Sequence, residues 1–226
     1  MLERNSLMSK FANTTLFSVA LVALCASASS VAFGNTAPAK GASKASQTSS
    51  KGTVLVVDAS KSKVLWVGRK KLGSSHNGEI GFKSGSVTMG PKTLTGGELV
   101  IDMTSLTVTD IPATDENNAK LDGHLEAADF FDVAKHPTST LVVTSAKDLG
   151  EGKHEVKGKI TIKGATQNVT FPVEVKQANG ETVATGKLTL DRTKFGVKYA
   201  SGNFFKLAAD KVIEDNFDLE FTVVAK

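Results

Sequence analysis

Residues 156–175 read Val156-Lys-Gly-Lys-Ile-Thr-Ile-Lys-Gly-Ala-Thr-Gln-Asn-Val-Thr-Phe-Pro-Val-Glu-Val175, and their apolar period is two. Val156, Ile160 and Ile162 face away from Lys157, Lys159 and Thr161. Beyond Lys163-Gly164 the alternation resumes, with Val169, Phe171, Val173 and Val175 set against Thr170, Pro172 and Glu174. Successive side chains of a strand point to opposite faces, so the stretch reads as two half-buried strands joined by a glycine turn. Pro172 has no N–H to give to a ladder, which predicts an edge or a bulge at that point of its strand.

The same period extends outward in both directions. Val64 and Trp66 alternate with Leu65 and Val67, and Leu99, Ile101 and Met103 with Val100 and Asp102. Leu188 and Leu190 follow the hairpin, and the chain closes on Phe217, Leu219, Phe221 and Val223 against Asp218, Glu220 and Thr222. Gly73-Ser74-Ser75, Gly90-Pro91, Gly96-Gly97, Gly150-Glu151-Gly152 and Ala178-Asn179-Gly180 punctuate the runs. Short alternating runs between turn signals predict an all-β, antiparallel sandwich or barrel. Residues 115–125 break the pattern: acidic residues open the segment and Leu121 and Leu125 lie four apart. That spacing predicts one short helix with a single apolar edge, followed by Phe130 and Phe131 and halted before Pro137, a cap for one end of a barrel.

At 226 residues, with 40% hydrophobic and 22% charged side chains, the chain suits one globular domain with a tail. The formal charge of +4 does not sit on that domain. Arg4 and Lys10 precede an apolar run from Leu16 to Leu24 and then small residues around Ala28 and Ala32, the grammar of an export signal over 1–32. Residues 33–52, rich in Ala, Ser and Thr with Lys40, Lys44 and Lys51, hold too little apolar surface to fold and read as a flexible tether. The remaining 53–226 carries as many basic as acidic side chains, which argues against a nucleic-acid-binding face. Export places the domain in the periplasm or cell envelope. Cys25, the one cysteine, ends the apolar run where a lipoprotein signal would place its acylated residue, but Leu24 before it is larger than such a signal prefers. The expected mature domain has no thiol for a disulfide or a zinc site.

Three stretches carry a family resemblance: Lys120–Thr138 with its His124-Leu-Glu-Ala-Ala-Asp-Phe-Phe-Asp132 run, the 156–173 hairpin, and Leu190-Asp-Arg-Thr-Lys-Phe-Gly-Val197. Together, in this order, they resemble the YceI-like family over about residues 53–225. The resemblance implies an exported, lipocalin-like antiparallel barrel of about eight strands with a helix near one end. It also implies an elongated apolar cavity for a polyisoprenoid chain, with no catalysis and no cofactor beyond the bound lipid. Transient membrane contact and a homodimer are compatible with it. Two stretches depart from the family pattern, Arg69–Ile80 and the loop Lys198–Asp210 with Gly202-Asn203-Phe204-Phe205, and both are expected near a cavity mouth.

Elementary energetics agree with lipid carriage. Strands of about nine residues span roughly 30 Å, and burying about 500 Å² of chain would contribute on the order of 12 kcal/mol before ordering costs. By alternation, Phe171, Val173, Leu188, Leu190, Phe217, Leu219 and Phe221 are the inward, ligand-facing candidates. Trp66, Leu121, Leu125, Phe130, Arg192 and Phe195 join them from the early strand, the helix and the 190–197 motif. Arg192 is expected to clamp carbonyls at a barrel end or to pair with Asp102 or Asp191, and otherwise to meet a polar head group. Gly68, Gly78, Gly81, Gly85, Gly158 and Gly186 are read as leaving room for a ligand or bending the sheet. The competing readings are a stress-related or interaction module whose barrel is filled by its own side chains, and a metal-dependent enzyme built on His124, Asp129, Asp132 and His136. Their spacing matches no ligand signature, His76 and His154 stand apart, and no Gly-x-Ser-x-Gly is present.

Overall fold

A computed structural model describes residues 52–91 and 93–226; the expected signal, Cys25 and nearly all of the tether lie outside the described residues. The period-two runs are strands: β1 (Thr53–Val56), β2 (Lys63–Arg69), β3 (Ser75–Met89), β4 (Leu94–Asp102), β5 (Thr107–Val108), β6 (Thr138–Gly150), β7 (Lys153–Ile162), β8 (Ala165–Ala178), β9 (Glu181–Asp191) and β10 (Asn216–Ala225). In the quoted hairpin Ile162 stands opposite Ala165, and the two turn residues take positive φ, 49° at Lys163 and 75° at Gly164. Asn179 and Gly180 join β8 to β9 in the same way. Two-residue turns of this hand match the twist of the strands they join.

The strands run β3-β2-β10-β9-β8-β7-β6-β4, and β4 pairs back onto β3, so eight antiparallel strands close a barrel. β3 manages closure by dividing its length. Residues 75–81 pair with β2 and residues 82–89 pair with β4. The short strands fill what this leaves: β1 lies beside residues 86–89 of β3 and exchanges hydrogen bonds between Val56 and Lys226 at the end of β10, while β5 pairs with Gly78 and Glu79.

One seam is incomplete. The β8–β9 ladder runs from Val173 opposite Gly186 to Ala178 opposite Glu181, and residues 165–172 do not pair with 187–191. Val175 donates its N–H to the Gly152 carbonyl beyond β7, at 2.7 Å. Amide direction alternates along a strand, so the even-numbered residues of β8 face β9, and Pro172 has no N–H to offer there. The edge expected from Pro172 is where the seam opens.

Alternation puts Val156, Ile160, Phe171, Val173, Leu190, Phe221 and Val223 in one buried cluster along the barrel interior. A second cluster closes one end and contains Trp66, Ile80, Met103, Leu106, Leu125, Phe130 and Val197. The helix α1 (Glu116–Glu126) lies at this end. Asp115 caps it by accepting the Asn117 N–H at 2.9 Å, and Glu116 occupies the favoured first turn. The helix is tied to β5: Asp122 accepts the Val108 N–H at 2.8 Å, and Asn118 donates to the Val108 and Ile111 carbonyls. Lys163 in the β7–β8 turn donates to the carbonyls of Ala128 and Phe130 and pins the segment after the helix over the barrel.

Candidate functional site

The interior holds three small apolar cavities in a row. The one under the helix, about 80 Å³, is lined by Trp66, Gly68, Leu125, Phe130, Arg192 and Ile213 among others. It shares Ile80, Phe131, Phe217 and Leu219 with a middle cavity of about 80 Å³ reaching Ser139, Ile160 and Leu188. The middle one shares Leu99, Leu141 and Phe221 with a third of about 40 Å³ beside Val156, Phe171 and Val173. A larger space, about 990 Å³, lies along the open β8–β9 seam and extends over Leu65, Val67, Asp218 and Glu220. Its rim carries Asn168, Thr170, Lys187 and Thr189, and Phe171, Leu188 and Leu190 are reached through it. That groove is wide but solvated; the axial cavities are narrow but apolar, and the latter have the character of a lipid site.

The inward candidates fall where alternation placed them. Phe171, Val173, Leu190 and Phe221 are buried in the interior cluster, with Leu188, Phe217 and Leu219 partly buried against it. Trp66, Leu125 and Phe130 are buried at the helix end, where Leu121 packs on the edge. Phe195 is buried as well. Reasoning on the outer runs missed Ile80, Phe82, Leu141 and Phe131 as cavity walls. Period two was present around Ile80 and Leu141, but glycine-rich and polar neighbours blurred it. Ser139 carried no sequence signal.

The 190–197 motif has a local physical logic. Asp191 accepts the Thr193 N–H at 2.9 Å and hydroxyl at 2.6 Å, which starts a 3-10 turn over Arg192–Phe195, and Gly196 ends it at φ 79°. Arg192 is 3% exposed. Its Nε donates to the Glu214 carbonyl, Nη1 to Val197 and Tyr199, and Nη2 to Ile213 and to the Asp215 carboxylate at 3.3 Å. The expected clamp on carbonyls is present, but the ion-pair partner is Asp215, not Asp102 or Asp191. A guanidinium has five N–H donors, and all five are engaged, so none remains for a head group. Burial lowers the Arg192 pKa, and the charges of Asp215 and Asp191 act in the opposite direction.

Among the described residues, three buried polar atoms make no hydrogen bond within the protein: Trp66 Nε1, His124 Nε2 and Ser139 Oγ. Such orphans are uncommon in folded proteins and mark strain, water or a ligand. Trp66 and Ser139 line the first and middle cavities. His124 lies edge-on to Phe130 and Tyr199, with ring centroids 5.5 and 4.6 Å apart. No three His, Cys, Asp or Glu side chains converge as a metal site among the described residues.

The glycines correct one expectation. A Cβ at Gly186 would fall on the Phe221 ring and 2.7 Å from the Pro172 carbonyl, and one at Gly78 would strike the Thr107 carbonyl of β5. These glycines admit neighbouring protein rather than ligand. Gly68, with nothing within 4 Å of its would-be Cβ, is the one that leaves room beside the first cavity.

Comparison with known proteins bears on the whole barrel. The YceI-like domain model matches residues 55–225. A UPF0312 protein of Vibrio cholerae is 31% identical over 104 residues, 46% of this chain and 52% of that one. A UPF0312 protein of Ectopseudomonas mendocina is 42% identical over 59 residues, 26% and 31% of the two chains. The chain thus spans about half or less of the curated relatives it matches. Among solved structures, Burkholderia cenocepacia BcnA superposes with a TM-score of 0.61 at 27% identity, over 75% of this chain and 99% of that one. A polyisoprenoid binding domain from Saccharophagus degradans, implicated in plant cell wall breakdown, superposes at 0.56 and 18% identity, over 78% and 99%.

Proposed function

The chain belongs to the YceI-like domain family, and on that premise we propose that it is an exported, non-catalytic barrel that holds an isoprenoid or another long-chain amphiphilic lipid along its axis. The observation that carries this is the row of apolar cavities, interrupted by side chains alone, with an unpartnered indole N–H at the helix end and an unpartnered hydroxyl in the middle. The head group sits at the helix end, where Trp66 offers a hydrogen bond to an acceptor oxygen. The tail runs toward Phe171 and Val223. The cavities are well below the roughly 300–1,000 Å³ of ordinary ligand pockets, so the chain is admitted by rotation of Phe131 and Phe217 between the first two cavities and of Phe221 between the last two. A polyisoprenoid-binding domain of the same fold supports the ligand class. Export rests on the N-terminal grammar and places the carrier in the periplasm or cell envelope.

The small volumes favour one rival, a barrel filled by its own side chains and used as an interaction module. Organic extraction of the purified protein followed by mass spectrometry separates the two. The carrier releases a stoichiometric amphiphile, and the module releases none. Gly68→Phe sharpens the comparison, because the new ring enters open space beside the first cavity. The expected result is a folded barrel with lipid retention lost; a folded Gly68→Phe variant that keeps its lipid places the ligand elsewhere.

A further inference from the structure

We propose that the loops at the helix end form a docking surface for anionic lipid bilayers. Among the described residues, the exposed aromatic side chains are Tyr199, Phe204 and Phe205, and all three stand in one loop, with Phe204 and Phe205 each 50% exposed. Leu207 in the same loop and Leu72 in the β2–β3 loop are also exposed, Leu72 at 59%. The two loops are joined by backbone hydrogen bonds: Lys71 donates to Val212, Glu214 to Arg69, and Ile213 to Ala200. Singly scattered apolar residues need no explanation, but this grouping at one end of a barrel does.

The aromatics are held outward by construction. Ser201 is fully buried, and its carbonyl accepts the N–H groups of both Phe204 and Phe205. Asn203 donates to Asp215 at 2.6 Å, and Asp215 is in turn held by Arg192. These anchors fix the backbone from which Phe204 and Phe205 project, each half exposed.

The charge around the aromatics selects the partner. Lys70, Lys71, Lys198, Lys206 and Lys211 lie in the same joined loops, with the Lys198 ammonium 4.6 Å from the centroid of the Phe204 ring. The carboxylates present are Asp210, 3.6 Å from Lys211; Asp215, engaged with Arg192 and Asn203; and Glu214. A basic rim around protruding aromatic and leucine side chains, on a domain whose charges otherwise sum to a small negative value, is complementary to an anionic bilayer surface, where rings insert and ammonium groups meet headgroups. Tyr199 also packs edge-on against His124 of the helix, and His124 against Phe130, which lines the first cavity. The inference extends the carrier reading but fails separately from it, since docking is read without reference to bound lipid.

The test attaches an environment-sensitive dye to the full-length chain at Phe205→Cys in a Cys25→Ser background, with Leu149→Cys as the control. Leu149 is exposed near the β6–β7 turn at the opposite end of the barrel. Vesicles of phosphatidylethanolamine with phosphatidylglycerol are compared with vesicles of phosphatidylcholine alone. The expected result is a blue shift at 205 but not at 149, on the anionic vesicles only, and weakened by salt. Each lysine near an anionic surface contributes roughly fivefold in partitioning, so Lys198→Glu with Lys206→Glu should lower binding about 25-fold or more. Equal shifts at 205 and 149, indifference to lipid charge, or no shift at 205 would overturn the proposal. So would a dimer in sedimentation that Phe204→Ser with Phe205→Ser dissolves, because the patch would then belong to a second copy.

Discussion

Replacing Arg192 should release the end of the barrel. The guanidinium is 3% exposed and joins the 197–199 segment to the 213–215 segment through four carbonyls and one carboxylate. Arg192→Leu fills much of the volume but leaves the Asp215 carboxylate and the buried Val197 carbonyl without this donor. Breaking one side of a buried ion pair costs about 3 to 5 kcal/mol, and each stranded acceptor about 1 to 3 kcal/mol where water cannot reach it. The bonds to the Tyr199 and Ile213 carbonyls are only part-buried, so water can replace the lost donor there, the sum is not additive, and the expected loss is about 4 kcal/mol. Arg192→Lys keeps the charge but has only three donors and no planar fork. At least two bonds go, and the expected loss is about 2 kcal/mol. Urea unfolding reads both: with a slope near 2 kcal/mol per molar, the midpoint should fall by about 2 M for Leu and about 1 M for Lys. Native-state hydrogen exchange should quicken at the amides of Lys71 and Ile213, which bond across the same loops. If Arg192→Leu unfolds within about 0.5 kcal/mol of the parent, the guanidinium is not the clamp and the reasoning fails.

Gly186→Ala drives a Cβ into the Phe221 ring and should cost about 1 to 3 kcal/mol; Phe221→Leu in the same chain should recover part of it, and a double-mutant cycle that comes out additive would contradict the contact. Thr189 and then Arg69 hold Asp218 below the usual carboxylate range. A carboxylate lowered on folding stabilises above its unfolded pKa and loses that contribution as pH falls through the lower folded value. Asp218→Asn should therefore flatten the acid limb of the stability curve below about pH 4, and an unchanged limb would count against the pairing. N-terminal sequencing of protein recovered from the cell envelope should find cleavage after a small-residue triplet ending at Ala28 or Ala32; a diacylated terminus at Cys25 would recast the 26–52 segment as a lipoprotein tether.

The sequence by itself determined the strands, their inward faces and their sharpest turns, because side-chain alternation and positive-φ turn residues are local properties. Phe171, Val173, Leu190 and Phe221 face inward for that reason, and Gly164 and Asn179-Gly180 turn the chain as their residue types favour, while Lys163 takes positive φ against its own preference. Pro172 also announced an edge or a bulge, since a missing N–H is missing in any fold. Only the tertiary structure decided on which side that N–H would have fallen, and so that the opening lies between β8 and β9. Arg192 could be read as a clamp but not as the partner of Asp215, which is 23 residues away in the chain and reaches it through the return of the loop before β10. The glycines in strands could be read as space, yet what fills the space at Gly186 is a ring from β10 and at Gly78 a carbonyl from β5. The cavities share that character: each is bounded by side chains from strands far apart in the chain, and its size is what remains after they pack. The sequence puts Phe204 and Phe205 in a loop near a cavity mouth but does not say whether they face the barrel or the solvent. Their exposure goes with anchors at Ser201 and Asp215, which the return of the loop onto Arg192 brings together.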